Sequence, residues 1–420
     1  MIKRVEQTEL NSSGDKCATF LIVISLLCAS FKNIIPGLDF GDIVLIAAMG
    51  WMILNHKVTK FRLEFRSVGV QLLILYTLYT GLTIVNGLCL VEFSLYEVSI
   101  RLVRWLFYIM VVIFGSQIFD YRYGKKIIKQ ISITAAVVII VQRIYIWLTG
   151  NALSVMILGK EIGNSVEYLR INGYLTIINR PSAFFSEPAH LTFFSVLGLI
   201  FILEEIPEKR NHIKEEAAAV LISIALLVST STYAYFLLII VWMYFLIFKW
   251  KKSAGSIVLF LVFLIILLYM IFWIDWGSSS DVLYLIKKIT SIGQTSRTAY
   301  FSKYSGMLPG IHQWIGVGVG NEEYYLLSKF GYVLGYVNSV AITYLYTGYA
   351  GFILWIGFWA AMFCSIEKKQ WLPGWIAVVL ALCSTDFYGK FSVLYFVVIS
   401  VRQRNTKRRS AEGMVYEITG

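Results

Sequence analysis

Charge is scarce in this chain. Asp, Glu, Lys and Arg make up 15% of its 420 residues, against roughly 25% in an ordinary soluble protein, and the deficit argues against a water-soluble fold. Cysteine is sparse as well. Cys17, Cys28, Cys89, Cys364 and Cys383 all lie in or beside apolar runs, without the spacing of a disulfide framework or a metal site, so they read as packing residues. Of the four histidines, His56 and His212 fall among charges, while His190 and His312 come with no His-x-x-x-His, Asp-x-Asp or carboxylate cluster. Glu322-Glu323 alone does not make a magnesium site. No metal and no cofactor is therefore expected.

What the chain has in abundance is apolar surface: 58% of its residues, with a mean hydropathy of +0.71. At roughly 20 residues per membrane-spanning helix, that supply could furnish about twelve spans. Apolar runs between charge clusters fall near 17–31, 38–54, 67–90, 98–119, 127–149, 188–203, 217–230, 233–248, 254–274, 345–364, 372–386 and 388–401. The expected architecture is an all-α polytopic membrane protein of about twelve helices, a single integral domain over 1–420 with a tail from 402 to 420.

Basic residues fix the expected direction. Lys57 to Arg66, Arg122 to Lys129, Lys209 to Lys214, Lys249 to Lys252 and Arg402 to Arg409 fall on one side of this scheme, whereas the short connections on the other side hold only Lys32 and Lys390. By the positive-inside rule both termini are cytoplasmic. The net charge of +12 is then topological, and no nucleic-acid partner is implied.

Two outer segments, 150–187 and 275–337, are far longer than a helix-to-helix connection needs. Both mix Tyr, Trp, Phe and Ile with Arg, Lys, Glu and Asn, which suits packed loops that build a polar site. The first ends in RPSAFFSEPAH, Arg180 to His190. Pro188 is placed to begin a helix, and Glu187 before it reads either as a cap at the positive helix end or as a base. Arg180 offers a phosphate binder and His190 a donor.

The second long segment runs from Ser296-Arg297 through Tyr300, Tyr304 and His312 to Gly316-Val317-Gly318-Val319-Gly320-Asn321. The alternating glycines lack the Lys-Ser/Thr of a P-loop. They allow either close backbone approach to a ligand at Gly318, Gly320 and Asn321 or a plain turn. Asn338 reads as the N-cap of the next helix. Arg101 and Arg104, one turn apart near the outer start of a span, and Arg143, near the outer end of another, either snorkel to the headgroups or form a cationic pocket for a phosphate-bearing lipid.

Taken in order, RPSAFFSEP ahead of a helix, Ser229-Thr230-Ser231-Thr232 at a hairpin tip, Ser296-Arg297, GVGVGN, and Asn338 before a span with Gly348, Gly351 and Gly357 resemble the Wzy-type O-antigen and capsular polysaccharide polymerases. The likeness runs from about residue 140 to 390. It implies a multi-pass, GT-C-like glycosyltransferase of the bacterial cytoplasmic membrane, related to O-antigen ligases and acting on undecaprenyl-pyrophosphate-linked oligosaccharide. Membrane lipid and a chain-length regulator are the implied partners. Two departures stand out: Val337 occupies the place where relatives often have His before Asn338, and Thr232 and Tyr233 stand where the serine-rich tip often carries Arg.

Transfer of a glycan from lipid pyrophosphate to a sugar hydroxyl chiefly demands stabilisation of the leaving group. Arginines supply that without a metal, and a carboxylate or imidazole near the acceptor takes its proton. Arg180 and Arg297 are the first candidates for pyrophosphate, helped by Arg101, Arg104, Arg143 and Arg170. Glu187 is the first candidate base and His312 the second. His190, Gly318, Gly320, Asn321 and Asn338 are candidate substrate contacts. A ligase, a flippase or transporter, and a non-catalytic scaffold are the competing readings.

Overall fold

The computed structural model describes residues 15–29, 31, 38–55, 65–157, 160–171, 174–206, 213–246, 304–331, 337–366, 371–384 and 386–419. Helices dominate. They are α1 (Lys16–Cys28), α2 (Phe40–Leu54), α3 (Val68–Cys89), α4 (Leu95–Ile118), α5 (Tyr121–Thr149), α6 (Pro188–Glu205), α7 (Ile213–Val228), α8 (Thr232–Tyr244), α9 (His312–Ile315), α10 (Glu322–Phe330), α11 (Ser339–Ser365), α12 (Trp371–Cys383) and α13 (Lys390–Thr419).

Five of these, α3, α4, α5, α6 and α11, are long and apolar enough to cross a membrane. The 22 residues of α3 rise roughly 33 Å, enough for a hydrocarbon core of about 30 Å. Its outward face suits lipid: Ile84 and Leu88 are 61% and 84% exposed, a stripe that water would penalise. Twelve spans are not reached among the described residues. Helices α1, α2, α8 and α12 are apolar but have only 13, 15, 13 and 13 residues, short of the roughly 17 that a span needs. The run expected at 254–274 lies outside the described residues. The cysteines also differ from expectation: Cys17, Cys89 and Cys364 are exposed on helix surfaces, because each sits on the outward apolar stripe and not on the packed one.

The long segment 150–187 is not helical. It folds as two antiparallel hairpins, β1 (Val155–Ile157) with β2 (Lys160–Ile162), and β3 (Asn164–Ile171) with β4 (Tyr174–Pro181). In the second, Ile171 pairs with Tyr174 and Asn164 with Pro181. Two residues, Asn172 and Gly173, lie between the strands in the sequence. Of the other long segment, 304–331 is described and holds α9 and α10.

The chain divides into two compact units, one of Met1–Ile22, Leu45–Gly124 and Gln294–Gly420, the other of Val23–Val44 and Lys125–Gly293. In the first, α3 packs on α4 and α11, and α13 on α4. Gly69 permits the close approach of α3 to α4, since a Cβ there would stand 2.7 Å from Ile113 Cγ1. Phe387, in the 3₁₀ turn Asp386–Tyr388, is buried among Trp105, Trp355, Phe358, Trp359 and Phe396. Edge-to-face and tilted rings of this kind add specific geometry to apolar burial.

In the second unit α6 is buried along most of its length and packs on α7 and α8. Pro188 does open this helix, where its missing N–H costs nothing. At the other end Lys129 Nζ bonds both Glu205 carboxylate oxygens at 2.7 and 2.8 Å, with Lys125 at 3.2 Å. Ser229, Thr230 and Ser231 form the buried tip between α7 and α8, with Thr230 at φ +56°.

Candidate functional site

In the first unit a break in α11 builds the site. Gly348, at φ +60° and ψ −158°, interrupts the helix. A continuous helix would bond the carbonyls of Leu345 and Tyr346 to N–H groups four residues on. Here Val317 N–H donates to Leu345 O at 2.8 Å and Gly318 N–H to Tyr346 O at 2.9 Å. The GVGVGN segment thus docks on carbonyls that the helix has released. Two glycines make the approach possible: a Cβ at Gly316 would fall on the Tyr346 carbonyl and Thr347 nitrogen, and one at Gly348 on the backbone of Trp314 and Gln313.

Side chains of α3 and the α3–α4 connection secure the rest of the segment. Asn86 Nδ2 donates to Ile315 O at 2.9 Å, and Val319 N–H donates to Thr83 Oγ1 at 3.1 Å. Asn321, fully buried, donates from Nδ2 to Glu92 O and Val317 O, both at 3.0 Å, and accepts from Ser94 N–H at 2.9 Å. Both N–H donors and the oxygen of that amide thus fasten the segment in place. The plain-turn alternative for the glycines gives way to close backbone approach, but to the protein's own helix.

This docking sets Glu322 beside Arg101. A Cβ at Gly320, whose φ is +83°, would fall on the Arg101 side-chain stem, standing 2.6 Å from its Cβ. The absent side chain leaves room for that stem. Arg101 itself remains solvent-accessible, although hemmed in by neighbours. Glu322 is only 6% exposed. Its Oε1 accepts a 3.3 Å hydrogen bond from Tyr346 Oη, and its Oε2 has no hydrogen-bond partner among the described residues. Burial lifts the Glu322 carboxyl from 4.5 to about 7, opposed by the nearby Arg101 charge. Arg104, one turn further along α4, donates from Nε to Tyr108 Oη at 2.8 Å. Beyond Tyr346, the Tyr388 and Thr343 hydroxyls meet at 2.6 Å.

His312 begins α9, and its Nδ1 donates to Gly316 O at 3.1 Å, bracing the entry to the same segment. Asn338 caps α11 as expected, accepting from Ala341 N–H at 2.9 Å. Arg297 lies outside the described residues.

The second unit gathers other candidates. Ala183 is held at φ +54°, a conformation that costs a residue with a Cβ roughly 1 to 2 kcal/mol. Gln142 of α5 clamps it: Ala183 N–H donates to Oε1 at 3.0 Å, while Nε2 donates to Leu153 O at 3.2 Å and Ala183 O at 3.4 Å. Ser182 N–H donates to Gly163 O at 3.0 Å, tying the loop to the start of β3. Arg143, next to the clamp, is buried, and Arg180 is half-buried three residues before Ala183.

Glu187 occupies the N-cap position of α6 in an extended conformation, yet its side chain makes no capping hydrogen bond. The carboxylate of this half-buried residue is not spent on the helix end. His190 Nδ1 and Ser186 Oγ are 2.8 Å apart. Arg170 belongs to β3, and its side chain lies outside the described residues.

The candidates therefore fall into two groups: Arg101, Arg104, His312, Gly318, Gly320 and Asn321 around the docked segment, with Asn338 capping the neighbouring helix, and Arg143, Arg180, Glu187 and His190 around the Gln142 clamp. Glu322, Tyr346 and Gln142 are absent from the sequence-derived candidates. Glu322 had a signal: Glu322, Tyr325 and Leu326 form the buried face of α10, at the i, i+3, i+4 spacing of a helix stripe. No protein-family model and no curated protein sequence matches this chain.

Proposed function

We propose that this protein polymerises undecaprenyl-pyrophosphate-linked oligosaccharide repeat units at the outer face of a bacterial cytoplasmic membrane, with both termini inside. The growing glycan leaves its lipid pyrophosphate and joins a hydroxyl of a lipid-linked acceptor. The observation that carries this reading is the docking of the GVGVGN segment. It is bonded to the C-terminal end of α3, the start of α4 and the N-terminal half of α11. The basic-residue pattern assigns all three ends to the outer side, and there the segment sets a buried carboxylate beside an accessible arginine.

In this reading arginine guanidinium forks hold pyrophosphate oxygens and stabilise the leaving group as the glycosidic bond breaks, with Arg180 and Arg297 as the first candidates and Arg101 and Arg104 as the candidates beside the docked segment. Arg143 and Arg170 assist. Glu187, with a carboxylate unspent on capping, takes the acceptor proton, and His312 is the second candidate. The Val337 that precedes Asn338 favours a polymerase over a ligase. The test is incubation of purified protein, with chelator present, with a defined lipid-linked repeat unit. Longer lipid-linked chains are expected, and their absence, or transfer only after magnesium or manganese is restored, would overturn the reading.

A further inference from the structure

We infer that Arg101 and Glu322 form a proton-linked anion site: a pyrophosphate that takes the Arg101 guanidinium leaves Glu322 to bind a proton. The inference rests on the reading above for the identity of the ligand, and on the geometry of the pair for its linkage to protons.

Glu322 is the anomaly of the first unit. A carboxylate buried this far needs a partner for each oxygen, or a nearby cation, to remain ionised. Its Oε1 has one long hydrogen bond from Tyr346, and its Oε2 has none among the described residues. The start of α10 contributes the positive end of a short helix. Among the described residues what remains is the charge of Arg101, a residue whose stem is seated against Gly320 and which is exposed to solvent.

The surrounding groups do not replace it. On α4, Arg104 is engaged with Tyr108, and Glu97 is exposed and of the wrong sign. On α10 itself, Glu323 adds a like charge. From α11 and the turn after α12, among the described residues, come the hydroxyls of Tyr346 and Tyr388 and no cation. Among the described residues Arg101 is thus the cation whose charge acts on Glu322, without a direct ion pair, and it is exposed to solvent.

An anion arriving from solvent competes for that one guanidinium. Pyrophosphate brings more than one negative charge and two or more oxygens for the guanidinium fork. Glu322 then faces both an unshared burial and a new like charge, and protonation removes both costs. The Glu322 carboxyl stands at about 7 without ligand, so binding at pH 8 should take up close to one proton, and at pH 7 about half of one. By reciprocity, raising the pH must weaken binding, approaching tenfold per unit above pH 7. No covalent step is involved: one O–H bond forms at Glu322 and the solvent supplies the proton.

The test uses the full chain in detergent and farnesyl pyrophosphate as probe. Calorimetric titrations at pH 8 in Tris and in Hepes, whose ionisation enthalpies differ, report the protons exchanged. Wild type should take up nearly one, and Glu322→Gln should bind with nearly none. Equal uptake by the two proteins would overturn the inference, as would failure of wild type to bind. A second measurement needs no variant: wild-type affinity that stays flat between pH 7 and 8.5 overturns it as well. Inorganic pyrophosphate in a parallel titration separates the source of the anion, since a lipid-borne ligand requires the farnesyl compound to bind more tightly. The lipid-linked transfer assay on the same preparation separates the two levels. Transfer without proton linkage removes this inference alone, whereas proton-linked binding without transfer supports it and removes the polymerase.

Discussion

Replacing Glu322 with Gln should make the protein more stable as the pH rises. The native carboxyl is raised from 4.5 to about 7, so between those values the folded state holds a proton that the unfolded chain releases. Stability falls with pH wherever the native state binds more protons. The loss begins near pH 4.5 and is complete above pH 7. Each unit of displacement corresponds to about 1.4 kcal/mol, so the full cost of ionising Glu322 in place is about 3 kcal/mol. Glutamine keeps the shape and an oxygen for the Tyr346 hydroxyl but cannot ionise. Thermal unfolding of both proteins in the same detergent, at matched scan rates from pH 5 to pH 8.5, should give similar midpoints at pH 5 and a lead of several degrees for the variant at pH 8.5. Parallel curves for the two proteins would show that Glu322 is an ordinary carboxylate and would refute the reasoning.

Gly320→Ala should lower polymer formed per folded protein by at least tenfold, because the new methyl displaces Arg101 and φ is +83°. Gly310→Ala, also at positive φ but with nothing within 4 Å, should cost only about 1 kcal/mol of stability and leave transfer intact; equal transfer by the two variants would detach Gly320 from the site. Gln142→Ala should destabilise by about 2 to 4 kcal/mol, since it strands buried backbone groups of Ala183, whereas Ala183→Gly should stabilise by about 1 kcal/mol by relieving φ +54°; thermal midpoints read both, and an unchanged Gln142→Ala would sink the clamp. Single cysteines at Ser165 and Ser305 in a cysteine-free background should react with an impermeant thiol reagent applied to intact cells; labelling only after the membrane is broken would invert the topology.

The parts of this protein that follow a helix rule could be read from its residues. Pro188 and Asn338 announce helix starts through backbone needs that any helix has, and both occupy those positions. Among the described residues the apolar runs form helices, but span length depends on where the chain leaves the helix, and α1 and α12 stop after 13 residues. The β3–β4 hairpin has a local signal, since Asn172-Gly173 stands between NSVEYLRI and YLTIINRP, two segments of equal length that carry Tyr, Leu and Ile. Gly316 to Asn321 showed that a backbone approach was possible without showing what was approached. That answer depended on Gly348, about thirty residues away, and on the carbonyls that its break sets free. Burial of Glu322 next to the exposed Glu323 follows from the orientation of α10, which only packing fixes. Gln142 carried no signal, because one glutamine in an apolar helix looks the same whether it clamps a loop or faces a neighbour.

The break at Gly348 makes the loop and the helix rivals for the same acceptors. Leu345 and Tyr346 carbonyls are held by Val317 and Gly318, while the N–H groups of Tyr349 and Ala350 sit at the positions that would claim them in an unbroken coil. Departure of the loop therefore does not forfeit two hydrogen bonds outright, because the helix can zip closed behind it and recover them. Undocking costs less than the bonds themselves suggest. Glycine at 348, which accepts both helical and left-handed backbone, is the residue that keeps both arrangements open.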